Sequence, residues 1–386
     1  MNKETARAVV CLSSIDWDPI WTRKQQVMSR LPQNYRVLYV EPPITLLSAF
    51  KDKTLWFKWT LWLKGNRPWR ENIWLYSPPP VLPFGNKYRW INKINQWWQS
   101  LFIRRQIRKL GLKQPWLWMY LPGSVDIVDR LEHSKLIYDC VDEHSEYTGL
   151  IDKQVVRSME AELCRRCDVV FVTALGLYED KKGWNPRTYF IPNAANLELF
   201  GKAQDQATRV PPDLEQIPPP RLGFVGVIQD WVDLDLLAEV ARLRPNWSVV
   251  LVGPVGAGID VSALQALPNV YLLGRREQKE LPAYLKGFDV CLNTFKINDL
   301  TRNVSPLKFY EYLASGKPIV SVDMPQVRNF ADVVKIASTP AETVAAVEEI
   351  LGSDNEEQKA RRLARARENS WESRVKQMLE IILRRQ

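Results

Sequence analysis

The chain has 386 residues, of which 46% are hydrophobic and 25% charged, and it carries a net charge of +9 at pH 7. This composition is typical of a globular protein and excludes a disordered chain, and no apolar run is long enough to cross a bilayer. Two domains are predicted, because one hydrophobic core rarely serves a chain of this length.

The N-terminus and the cysteines bear on the compartment. The first residues have too short an apolar core for a signal peptide, and they continue directly into a strand pattern. The five cysteines are an odd number scattered through a large chain, which is typical of a reducing compartment. We therefore expect a cytoplasmic location.

Short β-rich runs alternate with longer helical patterns along the chain, which indicates parallel sheets covered by helices. The first set of predicted strands is Ala8–Leu12, Arg36–Glu41, Trp116–Tyr120, Lys135–Cys140, Asp168–Thr173 and Thr188–Ile191, with helices at Ile20–Leu31 and Asp152–Arg166. The second set is Arg221–Val225, Ser248–Val252, Val270–Leu273, Asp289–Asn293 and Pro318–Val322, with helices at Leu234–Leu243, Lys279–Leu285 and Leu307–Ala314. The pattern predicts two α/β domains.

A proline-rich segment separates the two sets of strands. Its prolines cannot sustain regular structure, so we place an interdomain linker at residues 210–220. The predicted domains are then 1–209 and 221–366, and residues 367–386 form a final charged helix.

Residues 51–113 form a basic, tryptophan-rich segment, with 14 Lys and Arg against 2 acids. Ten of the sixteen tryptophans of the chain lie between Trp56 and Trp118. Aromatic side chains beside cations suit an anionic membrane surface, where each basic residue adds about 1 kcal/mol. One alternative is inward packing of the tryptophans, and another is a nucleic-acid-binding protein that grips a phosphodiester backbone.

Ionisable side chains follow the predicted strand Lys135–Cys140. Asp142 is the candidate general base, because a carboxylate at a strand end can accept the proton of an attacking hydroxyl. Helix capping is the alternative reading for Asp139, Asp142 and Glu143.

Two further patterns indicate metal sites only weakly. Cys164 and Cys167 form a lone C-x-x-C in a chain with two histidines, so core packing is the better reading. Asp233 and Asp235 form a D-x-D pair at the predicted start of a helix, where acids stabilise the N-terminus. We predict no metal site.

In the second half, Gly226 ends a predicted strand, and a glycine there lets a ligand approach the backbone. Residues 305–321 then read as a loop, a helix, a glycine stop at Gly316 and a buried strand. Lys308 and Glu311 lie three residues apart on one helical face, near the end where free N–H groups favour an anion. The alternative is an exposed salt pair on a surface helix.

This segment resembles the nucleotide-sugar site of GT-B glycosyltransferases, in which the matching glutamate hydrogen-bonds the donor ribose and the helix N-terminus faces the diphosphate. The resemblance implies these roles for Glu311 and Lys308, and it places Ser305 and Leu307 in the same donor site. Members of family 4 usually carry a second acid eight residues before the glutamate, where this chain has Asn303.

The same resemblance implies further donor contacts. The basic residue that often follows the first glycine turn is absent here, which leaves Lys308 and Arg302 as phosphate cations beside Gly226. Arg275 lies in a segment similar to the loop along the nucleobase, although a solvated surface arginine is the alternative.

Residues of the first half carry two weaker resemblances. Asp142, with Tyr138 four residues before it, resembles the catalytic aspartate loop of the xanthan glucuronosyltransferase family, which would make the reaction inverting. Many family 4 enzymes that retain configuration have a histidine in this loop, so His144, assigned to the acceptor side, leaves the stereochemistry open. Trp17 and Arg23 resemble acceptor-facing residues of teichuronic acid and capsule glycosyltransferases, with packing of Trp17 as the alternative.

The resemblance implies a GT-B fold of two Rossmann-like domains, the first for the acceptor and the second for the donor. It implies a glycosyltransferase that uses a nucleotide-diphospho-sugar, UDP being the commonest carrier, with no cofactor and no nucleic-acid partner. Bacterial polysaccharide glycosyltransferases commonly extend a sugar on a polyprenyl-diphosphate lipid, so the resemblance, together with the basic segment 51–113, implies such an acceptor at the inner face of the plasma membrane. In the GT-B fold the last helix, here residues 367–386, crosses back to the N-terminal domain. A GT-B epimerase acting on the nucleotide sugar itself is a further alternative.

Overall fold

The computed structural model describes residues 7–48, 56–146, 149–298, 301 and 304–384. The chain divides into two compact units, one running to Pro192 and resuming at Met378, the other Asn193–Gln377. Arg302 and Asn303 lie outside the described residues. No helix among the described residues is both long enough and apolar enough to span a bilayer.

In the described part of the first unit, eight strands form one sheet in the order β3-β4-β2-β1-β5-β6-β7-β8. They are β1 (Arg7–Leu12), β2 (Tyr35–Val40), β3 (Arg67–Arg70), β4 (Ile73–Tyr76), β5 (Trp116–Met119), β6 (Lys135–Cys140), β7 (Val169–Val172) and β8 (Thr188–Phe190). All neighbours are parallel except β3 and β4. The sequence analysis missed these two strands, which extend the predicted parallel sheet at one edge.

The helices of the first unit cover this sheet. They are α1 (Arg23–Ser29), α2 (Trp56–Leu61), α3 (Arg89–Lys109), α4 (Lys153–Arg166) and α5 (Leu175–Lys181), with 3₁₀ turns at Trp62–Lys64, Pro122–Arg130 and His144–Glu146. Asp152 begins α4 because its side chain accepts hydrogen bonds from the amides of Gln154 and Val155. Cys164 and Cys167 lie in the hydrophobic core, as the packing interpretation predicts.

In the described part of the second unit, six strands form a fully parallel sheet in the order β11-β10-β9-β12-β13-β14. They are β9 (Arg221–Val225), β10 (Ser248–Val252), β11 (Val270–Gly274), β12 (Val290–Asn293), β13 (Ile319–Ser321) and β14 (Lys335–Ile336). The chain crosses from β11 to β12 on the far side of β9, so the strand order reverses there. Open parallel sheets bind ligands at the carboxyl ends of the strands beside such a point.

The helices of the second unit include one that matters for the site, α11. They are α6 (Leu197–Phe200), α7 (Pro212–Glu215), α8 (Leu234–Leu243), α9 (Ser262–Gln265), α10 (Leu281–Gly287), α11 (Leu307–Ser315), α12 (Pro325–Arg328), α13 (Pro340–Ser353) and α14 (Glu356–Glu368), with 3₁₀ turns at Gly201–Gln204 and Gln278–Glu280. A last helix, α15 (Trp371–Leu383), begins in the second unit and ends in the first, which resumes at Met378. Gly316 ends α11 in the left-handed conformation with φ +75°, as predicted. Asp233 accepts a hydrogen bond from the amide of Leu236 and so caps α8.

The segment 210–220, for which the sequence predicts a linker, lies within the second unit. Leu214 and Ile217 are buried in the hydrophobic core of that unit, and Leu214 packs against Gly287. Its prolines flank the short helix α7. This packing accounts for its place in the unit.

Candidate functional site

The position of α11 is set by a hydrogen bond at the end of β9. The hydroxyl oxygen of Tyr312 accepts from the backbone amide of Val225 at 2.8 Å. The neighbouring strand β12 pairs with β9 only at Leu222 and Gly223. At Val225, where this pairing has ended, the hydrogen bond to Tyr312 of α11 takes its place. Lys308 lies one turn before Tyr312 on the same helical face and therefore reaches the carboxyl end of the strand.

Lys308 lies directly against Gly226. A Cβ atom added to Gly226 would be 1.5 Å from Lys308 Cε and 2.3 Å from its Nζ. Gly226 also has φ +146°, which side-chain-bearing residues rarely adopt. A glycine at position 226 is therefore required for the Lys308 ammonium group to lie at the strand end. There, Lys308 Nζ is 5.8 Å from the ring centroid of Phe224.

Glu311 is the second ionisable group of this cluster, and it is only 7% exposed. Burial raises the pKa of its carboxyl group to about 7, against the opposing charge of Lys308. Burial likewise lowers the pKa of Lys308, and the charge of Glu311 opposes that shift. Within the described residues, neither side chain has a hydrogen-bond or ion-pair partner, which leaves both polar groups available to a ligand.

Ser305 and Leu307 stand at the start of α11. The Ser305 hydroxyl oxygen accepts from the backbone amide of Asn193 at 3.0 Å, and its carbonyl oxygen accepts from Asn193 Nδ2 at 2.8 Å. Leu307 is the first, half-buried residue of the helix. These contacts fix the N-terminus of α11, where free amides favour an anion.

Arg275 follows β11 at the same edge of the second sheet. Its side chain is exposed, whereas the adjacent Arg276 pairs with Asp213 and Tyr284. The two arginines therefore differ in role: Arg276 is part of the packing of the second unit, and Arg275 is open to solvent.

Sequence reasoning missed a group of buried polar side chains at this edge. Asn293 Oδ1, Thr294 Oγ1 and both amide atoms of Gln326 have no partner among the described residues. Asn293 is the last residue of β12 and Thr294 follows it, while Gln326 lies in α12, which follows β13. In the sheet, β12 lies between β9 and β13. A single Asn, Thr or Gln forms no recognisable sequence motif. These residues do lie at or after the ends of predicted strands, however, and that is the same signal that identified Gly226. Buried polar atoms without partners indicate that a ligand or water satisfies them.

In the first unit, the loop after β6 is anchored at several points. Thr173 Oγ1 donates to the carbonyl of Val141 at 2.9 Å, and Cys140 Sγ donates to the carbonyl of Asp142 at 3.4 Å. Lys181 Nζ reaches Glu143 at 3.2 Å. Asp142 itself is half-buried. The loop therefore presents the candidate base from a fixed backbone.

Lys181 belongs to a buried cluster of charges beneath this loop. Its Nζ lies 2.8 Å from Glu160 and 2.7 Å from Asp180, and Glu160 also accepts from the hydroxyl of Tyr138 at 2.6 Å. Burial alone would lower the pKa of Lys181, but the surrounding carboxylates, Glu160 first, raise it above its ordinary value. The resemblance assigned Tyr138 to this loop, and the structure gives it a place in the cluster that supports it.

Asp142 shares its surroundings with Lys24 and His144. Burial lowers the pKa of Lys24, and the charges of Asp142 and Asp139 oppose that shift. Burial also lowers the pKa of His144 to about 4, so its imidazole is neutral at pH 7. Asp142 therefore lies beside a neutral imidazole and the partly desolvated amine of Lys24.

Trp17 and Arg23 are placed inside the first unit. Trp17 is fully buried, with its ring 4.8 Å from that of Tyr39 and 4.7 Å from that of Trp69. Arg23 Nε donates to both carboxylate oxygens of Asp139 at 2.9 and 3.0 Å, and Nη1 donates to the carbonyl of Ile191. These contacts correspond to the packing alternative for Trp17 and to a structural ion pair for Arg23.

We predict that Glu311→Gln changes the pH dependence of stability. Because the folded pKa of about 7 exceeds the ordinary 4.5, the folded chain keeps a proton that the unfolded chain has lost. The stabilisation of the folded chain that comes from this retained proton is fully present below pH 4.5 and is lost as the pH rises through 7. The variant should therefore gain about 3 kcal/mol over the native chain between about pH 5 and about pH 8.

Urea unfolding at a series of pH values measures this difference. Glu239→Gln, at an exposed site on α8, is the control and should differ from the native chain by a constant amount. A constant difference for Glu311→Gln as well would contradict the buried carboxyl group.

Comparisons with known proteins agree with this architecture. Residues 219–353 match the family model described as glycosyl transferases group 1. TuaH of Bacillus subtilis (strain 168), a glycosyltransferase assigned by name to teichuronic acid biosynthesis, is 28% identical over 285 residues, covering 68% of this chain and 70% of its own.

Two solved structures share the fold over nearly the whole chain. Sucrose-phosphate synthase from Thermosynechococcus elongatus has a TM-score of 0.69 and 13% identity, covering 97% of this chain and 98% of its own. HepE of Anabaena, in complex with UDP and glucose, has a TM-score of 0.64 and 11% identity, covering 98% and 99%. The GT-B fold predicted from the sequence is confirmed. The group 1 domain and the relationship to TuaH support a glycosyltransferase of the hexosyltransferase type.

Proposed function

We propose that the protein transfers a sugar from a UDP-linked donor to a lipid-linked glycan at the cytoplasmic face of the membrane, in the synthesis of a bacterial cell-wall or extracellular polysaccharide. The observation that carries the donor half is the cluster of the half-buried Lys308 and the buried Glu311, neither of which has a hydrogen-bond or ion-pair partner in the described chain. The name of TuaH supports the cell-wall context.

The donor chemistry follows from the second unit. A diphosphate carries negative charge, which Lys308 and the free amides at the start of α11 can neutralise. The Glu311 carboxylate can accept hydrogen bonds from two ribose hydroxyls, which removes the cost of its unpaired burial. UDP as carrier is supported by the complex of HepE with UDP and glucose.

The catalytic chemistry is assigned to Asp142. An attacking hydroxyl is made nucleophilic when a carboxylate accepts its proton as the bond to the anomeric carbon forms. The anchored loop holds Asp142 in place, with the neutral imidazole of His144 and the side chain of Lys24 beside it.

The proposed membrane binding is supported by helix α3, in which mainly polar side chains are buried and large apolar side chains are exposed. Its buried face carries Asn92, Asn95, Gln99, Ser100 and Gln106 beside only two apolar residues, Ile91 and Ile103, whereas its exposed apolar residues are Trp90, Ile94, Trp97, Trp98 and Leu101. An ordinary surface helix buries its apolar side. An exposed stripe of tryptophan and aliphatic residues fits the interface of a bilayer, where indole rings settle at the headgroups.

Basic side chains accompany this stripe. Lys93, Arg105, Arg108 and Lys109 are exposed on the same helix, and Trp56, Phe57 and Leu63 add further exposed apolar surface from the region of α2. Cations near an apolar stripe attract anionic lipid headgroups. The protein would therefore bind peripherally to an anionic membrane, where a lipid-linked acceptor resides.

Calorimetric titration with UDP, GDP, ADP and dTDP tests the donor site. We expect UDP to bind, and Glu311→Gln to weaken it about tenfold to a hundredfold, because charge-assisted hydrogen bonds to the ribose are lost. Lys308→Met should weaken it to a similar degree through the diphosphate. Glu239→Gln is the matched control and should bind UDP normally. Binding of none of the four nucleotides would refute the donor site.

The role of Asp142 is tested by transfer of radiolabelled sugar from UDP-sugars to lipid extracted from bacterial membranes. Asp142→Asn should lower the rate at least a hundredfold, since a general base contributes about that much, while UDP affinity stays normal. Asp129→Asn, at an exposed position of the same unit, should transfer at the native rate. Native turnover of Asp142→Asn would remove this residue from the mechanism.

Membrane binding is tested by sedimentation with vesicles of phosphatidylglycerol and phosphatidylcholine. Replacing Trp97, Trp98 and Leu101 together by glutamine should reduce the bound fraction about tenfold, because the apolar stripe is removed. The control replaces Leu243, Ile336 and Leu351, exposed apolar residues of the second unit, by glutamine. Equal loss in both variants would contradict a specific role for α3.

A further inference from the structure

The first unit contains a cavity of about 610 Å³ that the donor chemistry does not use. It opens at the carboxyl ends of β1 and β2, where Leu12 and Val40 line it. The inner face of α3 forms one wall, and His144, two residues after the proposed base, lies in another. Its volume is within the range of about 300–1,000 Å³ that small-molecule sites occupy.

The wall from α3 consists largely of amides, most of which already have partners. Asn95 donates to the carbonyl of Leu82 and accepts from its amide, both at 2.9 Å. Asn92 Nδ2 donates to the carbonyl of Gly123 and to Asp126, both at 2.8 Å.

Gln99 differs from these amides. Its side chain is 6% exposed and lines the cavity, and it has no hydrogen-bond partner among the described residues. Because this amide opens onto the cavity, its two donors and its acceptor are available to a ligand. Gln99 therefore indicates a ligand with hydrogen-bonding groups of its own, which a hydrocarbon chain lacks.

The described lining of the cavity has almost no net charge. It contains no lysine or arginine, and its acid, Glu41, already pairs with Arg67 at 2.8 Å and with the hydroxyl of Ser77. The imidazole of His144 is neutral, since burial lowers its pKa. A phosphate or carboxylate entering this space would lose its hydration without gaining a cation. An uncharged ligand is favoured.

The rim of the cavity is apolar, in contrast to its amide wall. Leu47, Leu82 and Leu150 line it and are also exposed to solvent. Such a rim suits the C–H faces of a sugar and the start of a lipid chain, while the interior supplies hydrogen bonds. A polar interior behind an apolar rim matches a sugar carried on a lipid.

We infer that this cavity binds an uncharged sugar unit of the acceptor and that Gln99 provides the hydrogen bonds that select it. The inference rests on the proposed function, since it names the class of acceptor for the same reaction. It assigns specificity to the inner face of α3 and membrane binding to its outer face.

Saturation-transfer NMR without any nucleotide tests the inference separately from the donor site. The probes are the methyl β-D-glycosides of glucose, galactose, mannose and N-acetylglucosamine, methyl β-D-glucuronide as the anionic counterpart, and 1-hexanol as the hydrocarbon. We expect saturation of ring protons for at least one neutral glycoside and much less for the glucuronide. Gln99→Leu should weaken the neutral glycoside about fivefold to tenfold, as expected for one or two neutral hydrogen bonds.

Two further variants sharpen the test. Gln99→Lys places a cation in the cavity and should raise binding of the glucuronide relative to the neutral glycosides, a gain that a misfolded chain would not show. Gln358→Leu, on helix α14 of the second unit, is the matched control and should bind like the native chain. Binding of hexanol alone, equal binding of the glucuronide, no binding by any glycoside, or an unchanged Gln99→Leu would each overturn the inference. UDP titration reports independently on the donor site, so its failure is distinguishable from a failure here.

Discussion

The hydrogen bond from the Val225 amide to Tyr312 is the constraint on which the donor cluster depends. It ties α11 to β9 at the point where the ladder to β12 ends. With Tyr312 fixed, helical geometry places Lys308 one turn away, and only a glycine at position 226 leaves room for it. Glu311 is then buried beside the same strand end. Local packing thus keeps two opposite charges close together yet without other partners in the described chain.

In the first unit the constraint is different, because the loop after β6, which carries the candidate base Asp142, must be held in place. Buried ion pairs contribute little net stability, because desolvation offsets their attraction, but breaking one partner is costly. Lys181, Glu160 and Glu143 therefore act as a fixed support beneath the loop, and Arg23 with Asp139 does the same beside it. The candidate residues of this unit therefore divide into supporting ones, such as Arg23, and the half-buried Asp142.

Local signals made much of the fold predictable. β6, β9, β10 and α8 have the predicted bounds, because short apolar runs specify the strands and a capping aspartate specifies the helix start. Gly316 was identifiable as a stop because few residues adopt its conformation. The burial of side chains in the tertiary structure could not be predicted. Trp17 and Arg23 have the residue types of a sugar-binding site, yet they pack against residues that lie far along the chain. Gln326, Thr294 and Gln99 carry no motif, and they stand out only once a structure shows that they are buried without partners.

The two faces of α3 would link recognition of the acceptor sugar to binding at the membrane. The exposed tryptophans of α3 are mismatched to water, and on its inner face the amide of Gln99 has no protein partner among the described residues, whereas Asn92 and Asn95 are already hydrogen-bonded. A bilayer on the aromatic face and a sugar on the amide face would accommodate both. Charge separates the two substrates as well. The cluster at α11 suits a diphosphate, whereas the described lining of the cavity suits a neutral sugar. The arrangement therefore favours an enzyme whose anionic substrate is the donor and whose acceptor sugar carries no charge.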